Sequence, residues 1–155
     1  MKRMLVALAI LVVAAVAASG TASATPAGKT DAQVLGNVRI DPADPTVGYV
    51  TARYICNGGM TDNTHLWVSV KQTADRLPDN ALKGESSSGI SAAWSQSHPT
   101  GQVACDGQWH VQTFTISQAD YGFGALQQGQ GYVQFCLFGG DNLYAASQRF
   151  VEVSY

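Results

Sequence analysis

From Gly131 to Phe138 the chain reads Gly-Tyr-Val-Gln-Phe-Cys-Leu-Phe, eight residues without a charge or a proline. Exposed at a sheet edge, such a run would template pairing with other chains. It therefore belongs in the centre of a sheet, and a chain that must bury it there is constrained to supply strands on both sides.

Those strands are visible in the pattern. Apolar and polar residues alternate in short runs separated by turn formers, the signature of an all-β fold. Gln33 to Ile40 is closed by Asp41-Pro42-Ala43-Asp44-Pro45, where two prolines forbid a helix or a central strand. Val47 to Cys56 places Val50, Ala52, Tyr54 and Cys56 on one face, and Asn57-Gly58-Gly59 ends it. His65 to Gln72 alternates most clearly: Leu66, Val68 and Val70 share a face, while Trp67, Ser69 and Lys71 lie opposite. Residues 73–89 read as a long polar connection with one helical turn at Asn80 to Lys83. Ile90 to Ser97 and Gly101 to Cys105 are shorter strand candidates. Asp106-Gly107 is a two-residue hairpin signal leading into Trp109 to Ser117. Gly139-Gly140-Asp141-Asn142 turns the chain into a last strand, Ala145 to Val153. Seven or eight strands result, with no helical period longer than about two turns.

The N-terminus follows a different rule. Lys2-Arg3 precedes an apolar run from Met4 to Ala18, and Ala22-Ser23-Ala24 supplies a small-residue cleavage signal, the layout of a secretory signal peptide. The expected organisation is a signal peptide at 1–24, a flexible leader at 25–32 and a single domain at 33–155. Trimming removes two of nine Lys and Arg and none of eleven Asp and Glu, so the mature charge is −4. A mildly acidic exported chain lacks the basic cluster that neutralises phosphates, so nucleic acid is not an expected partner. No second apolar run reaches membrane-spanning length, so no transmembrane anchor is expected after cleavage.

Cys56, Cys105 and Cys136 are destined for an oxidising compartment and allow one intramolecular bridge with one thiol left over. The pair Cys56–Cys136, with Trp67 eleven residues after Cys56, resembles the cysteine–tryptophan–cysteine layout of immunoglobulin domains. Two details oppose it: alternation turns Trp67 from the core, and Gln134 stands two residues before Cys136, where the immunoglobulin pattern has tyrosine. A second resemblance is carried by Tyr54-Ile55-Cys56-Asn57-Gly58-Gly59, Val68-Ser69-Val70-Lys71-Gln72 and Val103-Ala104-Cys105-Asp106-Gly107-Gln108-Trp109-His110. These segments are similar to small secreted actinobacterial proteins of unknown function that pair a Tyr-x-Cys strand with a later Cys-Asp-Gly-x-x-His hairpin. That resemblance implies a Cys56–Cys105 bridge and carries no activity. At the level of fold class, an immunoglobulin-like antiparallel β-sandwich is the expected architecture.

Catalytic and metal constellations are poorly represented. His65, His98 and His110 belong to no ligand motif; His110 is expected to pin the turn at Asp106-Gly107, and His98, before Pro99, to lie in a solvent loop. Gly84-Glu85-Ser86-Ser87-Ser88-Gly89 does not match a nucleophile elbow and reads as a linker. Glu85 and Glu152 are the only glutamates. Asp41 with Asp44, and Asp141 with Asn142, could offer oxygens to calcium, but turn chemistry accounts for them. No cofactor or metal is expected. Three tryptophans, Trp67, Trp94 and Trp109, sit in strands beside polar neighbours and are the candidate ligand-binding residues, because an indole on a sheet face can stack on a sugar ring. The expected protein is thus a secreted, non-catalytic extracellular or envelope-associated module that binds an unidentified glycan or protein. A carbohydrate- or cell-wall-binding module using these tryptophans, and a small extracellular hydrolase, are the alternatives.

Overall fold

A computed structural model describes residues 30–57, 64–84, 89–98, 100–139 and 142–155. The signal peptide, the leader up to residue 29, the serines at 86–88, Pro99, and the turns expected at 58–59 and 140–141 lie outside the described residues.

The uncharged stretch forms the middle of β7, Gly129–Gly139, which is hydrogen-bonded along both edges, to β3 (Thr64–Gln72) and to β8 (Asn142–Ser154). Its odd-numbered residues Val133, Phe135 and Leu137 are fully buried. Around it lie β1 (Asp31–Ile40), β2 (Val47–Ile55), β4 (Ala92–His98), β5 (His110–Ser117) and the two-residue β6 (Gly122–Phe123). The ladder is continuous through all eight, in the order β5-β2-β1-β8-β7-β3-β4-β6. Helical structure among the described residues amounts to one 3₁₀ turn at Asn80–Lys83, where the sequence expected it, another at Thr100–Gln102, and α1 at Gln118–Tyr121. None of these is long and apolar enough to cross a membrane.

The sheet curls back on itself. Phe114 on β5 and Phe135 on β7 are four places apart in the strand order, yet their rings meet edge to face with centroids 5.3 Å apart. Tyr54 on β2 lies 6.2 Å from each. Leu66, Val68 and Val70 of β3, Trp94 of β4 and Ile40 of β1 complete a core of side chains with no exposure. The alternation read from the sequence thus delivers one apolar face per strand, and curling encloses those faces.

Three expectations need correction. The strands are not all antiparallel: β1 and β8 run parallel, with Val38 opposite Val153 and Arg39 opposite Ser154. Arg39 belongs to two ladders at once, facing Tyr49 of β2 as well. The register of β1 shifts between Leu35 and Arg39, around Gly36 at φ 62°, a conformation glycine adopts at little cost. Next, Gly101 to Cys105 is not a strand and Asp106-Gly107 closes no hairpin. The segment is a loop from β4 to β5, and β5 pairs with β2. Only Val103 of that segment is buried, so it has no apolar face to pair with. Finally, His98 is not a solvent loop residue. It ends β4, is buried, and its ring packs edge-on to Phe114 at 5.1 Å while Nδ1 meets Gln102 Oε1 at 3.0 Å.

Candidate functional site

The three tryptophans do not share a surface. Trp94 points inward with no exposure, and its indole N–H donates to the Gly124 carbonyl at 2.8 Å, so it serves the core. Trp109 precedes β5 and is 46 % exposed, with the Arg53 guanidinium 5.1 Å from its ring centroid. Trp67 lies at the middle of β3, half-buried, on the outward side that alternation assigns to it.

Register places Trp67 in a regular grid on the outer face of β3, β7 and β8. In one row His65 faces Phe138, which faces Leu143; the His65 and Phe138 rings stack at 5.0 Å, and Leu143 is exposed. In the next, Trp67 faces Cys136, which faces Ala146. The third is polar: Ser69, Gln134 and Gln148, with the Ser69 hydroxyl donating to Gln134 Oε1 at 3.3 Å. In the fourth Lys71 faces Tyr132, which faces Phe150; the two rings lie 5.1 Å apart and the tyrosine hydroxyl donates to Gln148 Oε1 at 2.9 Å. Lys71 is the only Lys, Arg, Asp or Glu in the grid, and its ammonium donates to the Gly84 carbonyl at 2.9 Å. A shallow cavity of about 260 Å³ opens between Trp67, Ser69, Ser95 of β4 and Gln134. Ser69, Lys71, Tyr132 and Cys136 are buried within the grid, so the face offers an indole, a stacked aromatic pair and the amides of Gln134 and Gln148.

Cys136 lies within this grid as a free, buried thiol, and burial pushes its pKa up. The bridge joins Cys56 to Cys105, Cα atoms 4.7 Å apart, as the resemblance to the secreted actinobacterial proteins implies; Cys56–Cys136 does not form.

Next to the bridge lies the one close histidine–carboxylate pair among the described residues. His110 Nε2 meets Asp106 Oδ1 at 2.7 Å, and the same oxygen accepts the Gln108 backbone N–H at 2.9 Å. The Gly107 N–H donates to the Cys56 carbonyl at 2.8 Å. The contact with His110, followed by that with the Gln108 N–H, holds the Asp106 carboxyl below its ordinary pKa. Among the described residues no serine, threonine or cysteine side chain joins this hydrogen-bonded set, so the pair fastens the loop at the sulfur bridge, the role expected of His110. Asp41 and Asp44 are likewise engaged locally. Asp41 accepts from the Tyr49 hydroxyl at 2.7 Å and from the Ala43 N–H at 2.8 Å, while Asp44 accepts from the Thr46 hydroxyl at 2.6 Å. No group of three His, Cys, Asp or Glu among the described residues is placed to hold a metal ion.

Alternation places Trp67, Ser69 and Lys71 outward together, and what sequence reasoning misses is the share of β7 and β8 in the grid. The signal lies in Gln134 and Phe138, half-buried positions within a run read as buried, whereas Tyr132 and Cys136 are buried as that run implies. Comparison of the chain with protein-family models, with curated proteins and with solved structures returned no match.

Proposed function

We propose that this chain is a secreted, non-catalytic binding module with an immunoglobulin-like sandwich, and that it contacts its extracellular ligand through the outer face of β3, β7 and β8. The strand order supports the sandwich. One half runs β1-β2-β5, the other β8-β7-β3-β4, and β1 links them by pairing with both β2 and β8. The disulfide and the signal-like N-terminus support export.

The observation that carries the reading is the Trp67 grid. Trp67, the stacked His65 and Phe138 rings, Leu143 and the amides of Gln134 and Gln148 reach the surface together, with Lys71 buried and Glu152 one row further along, and that is the composition of a contact surface rather than of a solvated face. The ligand class it fits best is a glycan: an indole face stacks on the C–H surface of a sugar, and the amides of Gln134 and Gln148 supply donors and acceptors to ring hydroxyls.

The test is retention of the mature protein on insoluble cell-wall polysaccharide, with Trp67→Ala, Gln134→Ala and Trp109→Ala compared. The reading predicts that the first two variants lose retention and the third keeps it. Equal retention of all four proteins, or none by wild type on any polysaccharide, refutes the glycan assignment.

A further inference from the structure

At one end of the curled sheet, a cleft of about 600 Å³ lies between the β1–β2 turn, the start of α1 and the 125–128 loop, with Arg76 in its lining. It shares Arg76, Ala125 and Gln127 with a second cavity of about 270 Å³. Buried Leu126 lies on its wall, Thr46, Gln118 and Gln128 line it with polar groups, and Tyr155 contributes an aromatic ring that is 59 % exposed.

The walls are fixed by hydrogen bonds that reach across the fold. Buried Gln72 receives the Gln127 N–H at 2.9 Å and donates its amide to the carbonyls of Gln127 (2.8 Å) and Gln130 (3.2 Å). The Gln118 N–H donates to the Thr46 carbonyl at 2.9 Å, tying the opposite wall. Such a cleft is formed before any ligand arrives.

Arg76 is the unusual residue. It has φ 59°, the only positive φ of a non-glycine residue among the described residues. Three contacts hold it there. Its N–H donates to the Thr73 carbonyl at 3.1 Å, its carbonyl accepts the Gln130 N–H at 2.9 Å, and its Cβ packs on Gly129 so closely that an added Cβ there would stand 2.7 Å away. Backbone strain of this kind persists where neighbours over-determine it, and it concentrates at functional sites. Among the described residues the guanidinium has one side-chain partner, the neutral Gln127 Oε1. The adjacent Asp75 carboxylate is turned to the Thr73 hydroxyl at 2.6 Å and the Leu77 N–H at 3.2 Å, and among the described residues no carboxylate pairs with Arg76. The other described arginines are engaged differently: Arg39 and Arg53 lie over aromatic rings, and Arg149 donates to the Val34 carbonyl.

We infer that this cleft is a second binding site, independent of the Trp67 face, and that it takes a carboxylate-bearing saccharide of the uronic acid type. The guanidinium fork with its remaining donors matches a carboxylate bidentately. The glutamine amides offer paired donors and acceptors to vicinal sugar hydroxyls, the Thr46 hydroxyl, whose proton goes to Asp44, can accept, and Tyr155 offers a stacking surface.

Calorimetric titration of the mature, oxidised protein with galacturonic-acid oligosaccharides, with neutral galactose oligosaccharides of equal length and with succinate tests the inference. The uronate should bind at least about tenfold more tightly than either comparison ligand, a difference of about 1.4 kcal/mol. Arg76→Gln should remove that preference. Arg76→Gly should remove it too while holding or raising the thermal midpoint, since glycine adopts the strained backbone freely. Trp109→Ala, outside both surfaces, should leave uronate binding unchanged, and loss of the acidic preference in Arg76→Gln alone separates failure here from failure of the Trp67 reading. Equal binding of acidic and neutral oligosaccharides, succinate as tight as the uronate, no uronate binding, or an Arg76→Gly protein that binds like wild type would each overturn the assignment.

Discussion

Replacing Cys56 and Cys105 together by alanine removes the one covalent tie between distant parts of the chain while leaving the native loop its other fastenings. The Gly107 N–H still reaches the Cys56 carbonyl, the Ala104 N–H still reaches the Tyr54 hydroxyl at 3.2 Å, and His110 still holds Asp106. The native state therefore changes little, and the loss falls on the unfolded state, which gains the freedom of a loop closed across 49 residues. In the chain-entropy account that freedom is worth about 4 kcal/mol at 25 °C. With a urea slope of about 1.3 kcal/mol/M, within the range for a small domain, the midpoint should fall by about 3 M. The slope itself should rise, because an uncrosslinked chain exposes more surface. Equilibrium urea unfolding of wild type and double variant, followed by tryptophan fluorescence, reads both quantities. A midpoint shift below about 1 M with an unchanged slope would show that the bridge does not restrain the unfolded chain, and would refute the reasoning.

Phe135→Ala, at the meeting of the Phe114 and Tyr54 rings, should cost about 3–5 kcal/mol by chemical denaturation, whereas exposed Trp109→Ala should cost less than about 1 kcal/mol. Acid should weaken the fold through Asp41 and Asp106, whose pKa values lie below the ordinary 3.8, held down first by the Tyr49 hydroxyl and by His110 respectively. A lowered folded-state pKa contributes stability that is whole above the unfolded value and is lost as pH falls through the folded one. Asp41→Asn should therefore flatten the decline in thermal midpoint below about pH 4. Cys136, buried and with its pKa raised by burial, should resist Ellman's reagent at pH 8 in the native protein and yield one thiol once unfolded; immediate native reaction would contradict that burial.

What could be read ahead of the structure was local. The uncharged run at Gly131 to Phe138 announced a central strand, the alternation of Leu66, Val68 and Val70 placed Trp67 outward, and Asn80 to Lys83 announced a helical turn. What escaped was non-local. Trp94 has polar neighbours in sequence, but its indole N–H finds a partner thirty residues on, at Gly124, and that contact lets it enter the core. His98 precedes a proline, yet Phe114 from a strand on the other side of the curl covers it. Asp106-Gly107 has hairpin chemistry, but the sulfur bridge and the Gly107–Cys56 hydrogen bond use the turn to anchor a loop. The parallel β1–β8 pair unites two ends of the chain, and the Arg76 cleft joins loops from four places in sequence. Neither leaves a trace in any short window.

Amide hydrogen exchange of the oxidised protein, resolved by residue, tests the strand order on which both binding surfaces depend. The amides of Val133, Phe135 and Leu137, on a strand paired along both edges, should exchange only on global unfolding, and those of β5, at the open end of the ladder, should exchange sooner. Exchange of Gly131–Phe138 as fast as that of His110–Ser117 would mean that the uncharged strand is not central, and the account built on it would fall.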